Sequence, residues 1–344
     1  MNMPSRRDWL KTAAATVKTA AKPPYIPKVA LLDTQMGSEN SGDQIIMEAC
    51  GQVMAEVLSP DATPAHVATH YYSPELESLG GSIPILCGTN ILYTHMGDQR
   101  QWALPHRLRS LRNVCLLGVG MNNQDLDDPV DAYSRLFYKA VLHPSLYHSV
   151  RNSTTKQKLE EAGVRNVLNT ACPTMWTLTP EHLATIPRKK ASTVLTSVTD
   201  YCADATSDLL MIETLKQEYE HVVIWVQGSH DIDFCLDPII NKGDYQLIGP
   251  SIDELNAFLA DPDVDYVGTR LHAGIRSLNL GHRSLIVNVD NRARSIARDT
   301  GLPVIERSEL AGDKLVRWIN GSDATELSLP WEEINLWKSQ WSRR

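Results

Sequence analysis

Asp265-Tyr266-Val267-Gly268-Thr269-Arg270-Leu271-His272-Ala273-Gly274-Ile275-Arg276 is the stretch whose reading decides the fold of this chain. The run Val264–Gly268 reads as a short strand. From Leu271 the period changes. Leu271, Ile275 and Leu278 fall at i, i+4 and i+7 and form the buried stripe of a helix over Leu271–Leu280. A helix that starts where a strand has just ended directs free backbone N–H groups and the positive end of its dipole to one place. Arg270, His272 and Arg276 project from other faces, the last two one turn apart. The segment therefore predicts an anion site, with Arg270 offering bidentate recognition of a carboxylate or phosphate and His272 a proton donor or acceptor near neutral pH. The plainer reading pairs Arg270 with Asp263 or Asp265 and makes His272 a capping or core histidine.

The same strand, loop and helix plan recurs along the chain. Lys28–Thr34 is an apolar run, Gly37 to Asp43 is polar and glycine-bearing, and Ile46, Ala49, Val53 and Val57 then share one helix face, with Asp43 read as the N-cap. Asn40-Ser41-Gly42-Asp43 thus puts small residues before a helix, where backbone N–H groups can reach a ligand; capping chemistry alone explains it as well. Short buried strands follow at Ile83–Cys87, Val114–Val119 and Leu146–Val150. After Arg151-Asn152, Ser153 reads as the cap of a helix over Thr154–Ala162 that Gly163 closes. Arg151 stands where Arg270 does, between a strand and a helix; taken alone it would be a surface residue. A second series begins with a strand at Thr193–Val198, a helix around Asp204–Tyr219 and a strand at Val222–Val226. Ser251 to Glu254 has the spacing of a capping box, ahead of Leu255, Phe258 and Leu259, and Ser284–Val289 is a further strand. Such alternation implies parallel sheets, and two of them facing one another leave a cleft at the carboxyl ends of the strands.

Length and composition agree. At 344 residues the chain exceeds the roughly 250–300 at which a single core stops growing, so an α/β protein of two domains is expected. A net charge of -8 argues against a broad nucleic-acid or anionic-membrane surface, so any anion site must be local. No run approaches the ~18 apolar residues of a membrane span. The six cysteines are scattered, without zinc-finger spacing, and read as reduced, mostly buried thiols. A nucleophilic role for Cys172 is the minor reading. No Asp, Glu and His cluster has metal spacing, so no metal is expected. Ser5 to Lys11, with Arg6-Arg7, looks like an export signal, but only Thr12–Val17 separates Lys11 from Lys18, too short for the apolar region of about 7–15 residues. Residues 1–27 are read as an N-terminal extension, helical or disordered up to Pro23-Pro24.

Taken in order, Asn40-x-Gly42-Asp43, Leu-Leu-Gly-Val-Gly at 116–120, Ser-Val-Arg at 149–151, Ala-Cys-Pro-Thr at 171–174 and Asp265 through Ala273 resemble the polysaccharide pyruvyl transferase family, over roughly residues 28 to 310. Arg-Leu-His-Ala at 270–273 is the most specific part. The sequence departs from the family pattern at Asn152, where an acidic residue is usual, and at Gly88-Thr89-Asn90, where a glycine-rich turn is expected. The resemblance implies two Rossmann-like domains with parallel sheets facing a cleft, as in GT-B glycosyltransferases. Residues 28–180 would form the acceptor-side domain and 181–344 the donor-side domain, with the last helix free to pack back on the first. It implies transfer of pyruvate from phosphoenolpyruvate to two sugar hydroxyls as a cyclic ketal, with Arg270, Leu271, His272 and Arg151 contacting the donor. Asn40, Gly42, Asp43 and Arg276 join them as candidate substrate-binding residues. The donor is a substrate, so no separate cofactor is expected, and as a cytoplasmic metabolite it implies a cytoplasmic enzyme. The acceptor would be a glycan or lipid-linked saccharide, in which case Trp9 and Leu10 could touch the membrane surface weakly. The other readings are a GT-B glycosyltransferase that uses a nucleotide sugar, and a non-catalytic glycan-binding relative.

Overall fold

Val29–Asp33 forms β1, buried at all five positions as its apolar run demands. In the computed structural model, which describes residues 28–79, 81–99, 101–122, 127–228, 230, 231, 233 and 245–341, β1 pairs in parallel with β2 (Ala65–Ala68) and β3 (Ile83–Cys87). The extension with Arg6-Arg7, Trp9 and Leu10, and also Cys235, lie outside the described residues. With β5 (Cys115–Leu117) beyond β3, the first sheet has the order β2-β1-β3-β5. Two short strands, β4 (Asn90–Leu92) and β6 (Gly120–Met121), pair with each other. A parallel bridge from Val119 to Val150 brings in β7 (His148–Val150), which pairs with β8 (Val167–Asn169). The helices of this half are α1 (Ser41–Val57), α2 (Ala132–Val141), α3 (Ser153–Glu161) and the single turn α4 (Pro180–Leu183).

The second sheet contains β9 (Thr193–Thr196), β10 (His221–Trp225), β11 (Gln246–Ile248), β12 (Val264–Gly268), β13 (Ser284–Asn288) and β14 (Val304–Glu306). All pairs are parallel and the order is β11-β10-β9-β12-β13-β14. In chain order this is the Rossmann arrangement, whose direction of winding reverses between β9 and β12. The loops after those two strands are therefore where a ligand crevice opens. Its helices are α5 (Ala205–Glu218), α6 (Ile252–Phe258), α7 (Leu271–Asn279), α8 (Asn291–Thr300) and α9 (Lys314–Asn320), and α10 (Trp331–Ser339) ends the chain.

One hydrophobic cluster joins the halves: Ile45, Ile46 and Val53 of α1 pack with Leu271 and Ile275 of α7 and with Trp337 of α10. Trp337 is fully buried, its indole N–H donates to the Leu116 carbonyl at 3.1 Å, and its ring meets Trp176 edge-on at 6.0 Å. Thus α10 crosses back onto β7 and β8. Asp299 of α8 clasps the halves on another side, accepting from the Ser153 amide at 2.5 Å, the Ser153 hydroxyl at 2.8 Å and Asn169 Nδ2 at 3.0 Å.

Three caps differ from the sequence reading. Asn40, not Asp43, caps α1, its Oδ1 accepting from the Gly42 amide at 2.8 Å, and Asp43 sits in the first turn. Asn152, not Ser153, caps α3 through the Thr155 amide at 2.8 Å, because the Ser153 hydroxyl is committed to Asp299. Ser251 does cap α6, but Glu254 turns to the Gly249 amide at 3.1 Å instead of closing a reciprocal box.

Candidate active site

The site is built where α1, the β7–α3 turn and the β12–α7 turn meet. Arg270 occupies the N-cap position of α7 but gives no side-chain cap. The first amides of this nine-residue helix therefore have no intrahelical acceptor. Leu271 is buried in the shared core, so what it can offer a ligand is its backbone N–H.

Arg270 itself is buried and fully engaged. Its Nε donates to the Val198 carbonyl at 3.1 Å, and its guanidinium pairs with Asp200 at 3.0 Å and with the buried Asp231. The acidic partners weighed from sequence are occupied elsewhere: Asp265 pairs with Arg283 at 3.1 Å, and Asp263 accepts from the Ser192 amide at 3.0 Å.

Arg151 is the opposite case. It is 1 % exposed, so the surface reading does not hold. Its guanidinium donates to Asn90 Oδ1, no carboxylate lies within ion-pair distance among the described residues, and its Nε has no hydrogen-bond partner. Gly120 makes this possible, since a Cβ there would stand 2.4 Å from Arg151 Nε and 2.2 Å from Asn90 Oδ1. Burial lowers the Arg151 pKa to about 10, with Arg292 pushing the same way, yet the group stays protonated at neutral pH. Asn90, at one of the two departures from the family pattern, is thus the neighbour that orients this charge.

His272 lies beside it. Burial first, then the charges of Arg151 and Arg292, lower the imidazole pKa to about 3, so the ring is neutral while the site holds no anion. Its Nε2 is 4.0 Å from the buried Cys172 Sγ, and its Nδ1 would be 3.6 Å from a Cβ on Gly42. Gln227 ties this corner to the cap of α1, donating from Nε2 to Asn40 Oδ1 at 2.7 Å. One residue beyond Gly42, Asp43 accepts from the Ser38 hydroxyl at 2.5 Å. Burial raises the Asp43 pKa in spite of Ser38 and the positive fields of His70, Arg292 and Arg151.

Arg151, His272, Asn40, Gly42 and Asp43 therefore lie close to one another. Arg276 does not join them: its Nε donates to Asn256 at 2.9 Å and it pairs with Glu48 of α1 at 3.5 Å. The sequence reading missed Arg292, in the first turn of α8. Its Nε donates to Asp290 Oδ2 at 2.6 Å, it donates to the Tyr201 hydroxyl, and its guanidinium lies 4.8 Å from the centre of the Tyr201 ring. Arg270 lies 5.3 Å from the same ring, so Tyr201 joins the two arginines. Burial weighs against the Arg292 charge, but Tyr201 and Asp290 outweigh it and raise its pKa. The signal was available: Asp290-Asn291-Arg292 follows β13 as Arg270 follows β12. The arrangement offers a buried cation without an acid partner, a second cation whose field reaches it, a neutral imidazole and a carboxyl group with raised proton affinity.

Among the described residues no group of three or more His, Cys, Asp or Glu could hold a metal ion, and no helix is long and apolar enough to cross a membrane. The Methanocaldococcus jannaschii UDP-GlcNAc 2-epimerase, solved in complex with UDP-GlcNAc and UDP, superposes with a TM-score of 0.52 at 9% identity, covering 88% of this chain and 95% of that one. An S. aureus MnaA structure with UDP matches at a TM-score of 0.46 and 10% identity, over 88% and 92% of the two chains. The fold is GT-B-like, with two Rossmann-like domains of parallel sheets. No curated protein matches the chain. The family model for polysaccharide pyruvyl transferase matches residues 40–291, from the cap of α1 to the residue before Arg292. With well over half its length matched, the chain belongs to the polysaccharide pyruvyl transferase family.

Proposed function

We propose that this protein moves pyruvate from phosphoenolpyruvate onto two hydroxyls of a sugar as a cyclic ketal, in the biosynthesis of a cell-surface or exported polysaccharide. The observation that carries the proposal is Arg151, a buried guanidinium with an unpaired Nε and no carboxylate partner, beside His272 and within the field of Arg292. A buried charge of this kind is costly unless an anion comes to meet it. Phosphoenolpyruvate brings a carboxylate and a phosphate on a three-carbon frame, which matches Arg151, Arg292 and the free amides at the start of α7. Arg270 then acts through Tyr201 and the helix start that it helps to fix.

In this mechanism the charge of the arriving anion opposes the burial and the positive fields that keep His272 neutral, so the imidazole takes up a proton. His272 delivers that proton to the methylene carbon, leaving an oxocarbenium-like centre at the carbon that bears the phosphate. A sugar hydroxyl adds there and gives its proton to Asp43. The carbon–oxygen bond to phosphate breaks as inorganic phosphate takes the proton from Asp43, and the second hydroxyl closes the ketal as its own proton passes to His272. Arg151 and Arg292 hold the carboxylate and phosphate throughout, a stabilisation of several kcal/mol in a water-excluded crevice. The donor is a cytoplasmic metabolite, so the reaction belongs in the cytoplasm, on a glycan or lipid-linked saccharide.

The test is a thermal-shift comparison of phosphoenolpyruvate with a panel of nucleotide sugars, since a ligand that binds only the folded state raises Tm. Stabilisation by phosphoenolpyruvate alone is expected. Stabilisation by a nucleotide sugar alone would overturn the proposal in favour of a glycosyltransferase.

A further inference from the structure

From the loops at the carboxyl ends of β1 and β2 we infer an acceptor subsite: Tyr71, seated on Gly37, is the platform against which the acceptor pyranose stacks. This deepens the function proposed above and rests on it for the identity of the reaction, though not for the binding of a sugar.

Two independent threads lead from Tyr71 to the reacting groups. One runs through the β1–α1 loop. Gly37 has φ +72, and a Cβ there would stand 2.5 Å from Tyr71 Cε1, so the ring rests on a position that only glycine fills without displacing it. The next residue, Ser38, donates its hydroxyl to Asp43 at 2.5 Å. The other thread runs through the chain that carries Tyr71. Its neighbour His70 is close enough for its charge to act on Asp43, and His70 Nδ1 is held 3.0 Å from the Gln101 carbonyl. Backbone bonds from Thr69 to Asp33 and from Ala103 to Thr69, at 3.0 and 2.8 Å, fix this segment on the sheet edge.

The ring is nonetheless 45% exposed. A tyrosine held against Gly37 on its Cδ1–Cε1 side, by a loop that reaches Asp43 through Ser38, presents a flat apolar face with a polar edge. Pyranoses have the matching form: axial C–H groups make one face apolar, and hydroxyls ring the edge. A sugar stacked on Tyr71 would direct its rim hydroxyls at Asp43 and the crevice beyond it. Tyr72, also exposed, packs at a tilt against His106 at 4.6 Å between centroids, so a second aromatic pair lies next to Tyr71 in the chain.

Saturation-transfer NMR with the full chain and a panel of methyl β-D-hexopyranosides (gluco, galacto, manno and N-acetylgluco) tests this without any donor. At least one glycoside is expected to receive saturation at its axial protons. Tyr71→Ala should weaken that binding roughly tenfold, and Tyr71→Trp should keep it. Gly37→Ala, which moves the ring without removing it, should weaken binding as Tyr71→Ala does. Calorimetry with phosphoenolpyruvate separates the two readings. Loss of sugar binding in Tyr71→Ala with donor affinity kept is the expected result. No sugar binding by the wild type, or equal binding by wild type and Tyr71→Ala, overturns the subsite. Sugar binding through Tyr71 in a protein with no affinity for phosphoenolpyruvate overturns the donor assignment and leaves the subsite standing.

Discussion

Replacing Arg151 with methionine should weaken anion binding and, at the same time, make the protein more stable. Burial holds the Arg151 pKa at about 10 against an ordinary 12.5. The folded value lies below the unfolded one, and at pH 7 both states are charged, so the folded state carries the penalty, roughly 3 kcal/mol. Methionine fills similar space without the charge. Against the relief stands the loss of the bond to Asn90, about 1 kcal/mol. A net gain of about 1–2 kcal/mol remains, or a Tm rise of roughly 1–3 °C for a chain of this size. The ligand side has the opposite sign. A unit charge about 4 Å from an anion contributes about 4 kcal/mol at an effective dielectric of 20, and after desolvation about 2–3 kcal/mol survives. That is roughly a 30- to 150-fold weaker Kd. Differential scanning calorimetry without ligand and titration calorimetry with phosphoenolpyruvate read the two effects separately. A variant that melts several degrees lower and binds phosphoenolpyruvate as the wild type does would show that Arg151 is a structural residue and would refute the reasoning.

Arg270→Met should do the reverse in stability, costing about 3–5 kcal/mol because Asp231 and Asp200 lose their counter-charge; chemical denaturation measures it, and a loss under 1 kcal/mol would contradict the ion-pair assignment. His272→Gln should cut phosphate release in the presence of a saccharide acceptor by about 10²–10⁴-fold with far-UV circular dichroism unchanged, and a near-normal rate would remove the proton-donor role. Because His272 is held at about 3 when the site is empty, binding of phosphoenolpyruvate near pH 7 should take up a proton; titrations in buffers of different ionisation enthalpy should then differ, and identical heats would speak against protonation. Burial also holds His148 at about 4. Both histidines have folded values below the unfolded one, so stability should fall as pH drops from about 6.5 toward 4, and His148→Asn should flatten that slope in a urea series.

The architecture was legible because two periodicities alternate: five-residue apolar runs such as Ile83–Cys87, and helix stripes such as Leu271, Ile275 and Leu278. Short elements were not. β2, β11 and β14 span three or four residues and carry exposed or half-exposed positions, so no apolar run marks them. In the site, spacing shows which arginines stand between a strand and a helix but not which carry a free charge. Arg151 and Arg270 look alike in sequence. They differ because Asp200 and Asp231, from loops distant along the chain, reach one and not the other. Arg292 follows its strand in the same pattern, but the Tyr201 ring that holds it lies 91 residues away in sequence, a contact that spacing does not display.

The Trp337 indole buried against Leu116 bears on synthesis as well as on the finished molecule. Translation runs from the first domain to the last helix, so the face of β7 and β8 that α10 covers leaves the ribosome bare. It stays bare until the codons for Trp331–Ser339 have been read and that helix has cleared the tunnel. Nascent chains stalled before Trp331 is made should therefore recruit chaperones at that face, and chains long enough for Trp331–Ser339 to leave the tunnel should displace them.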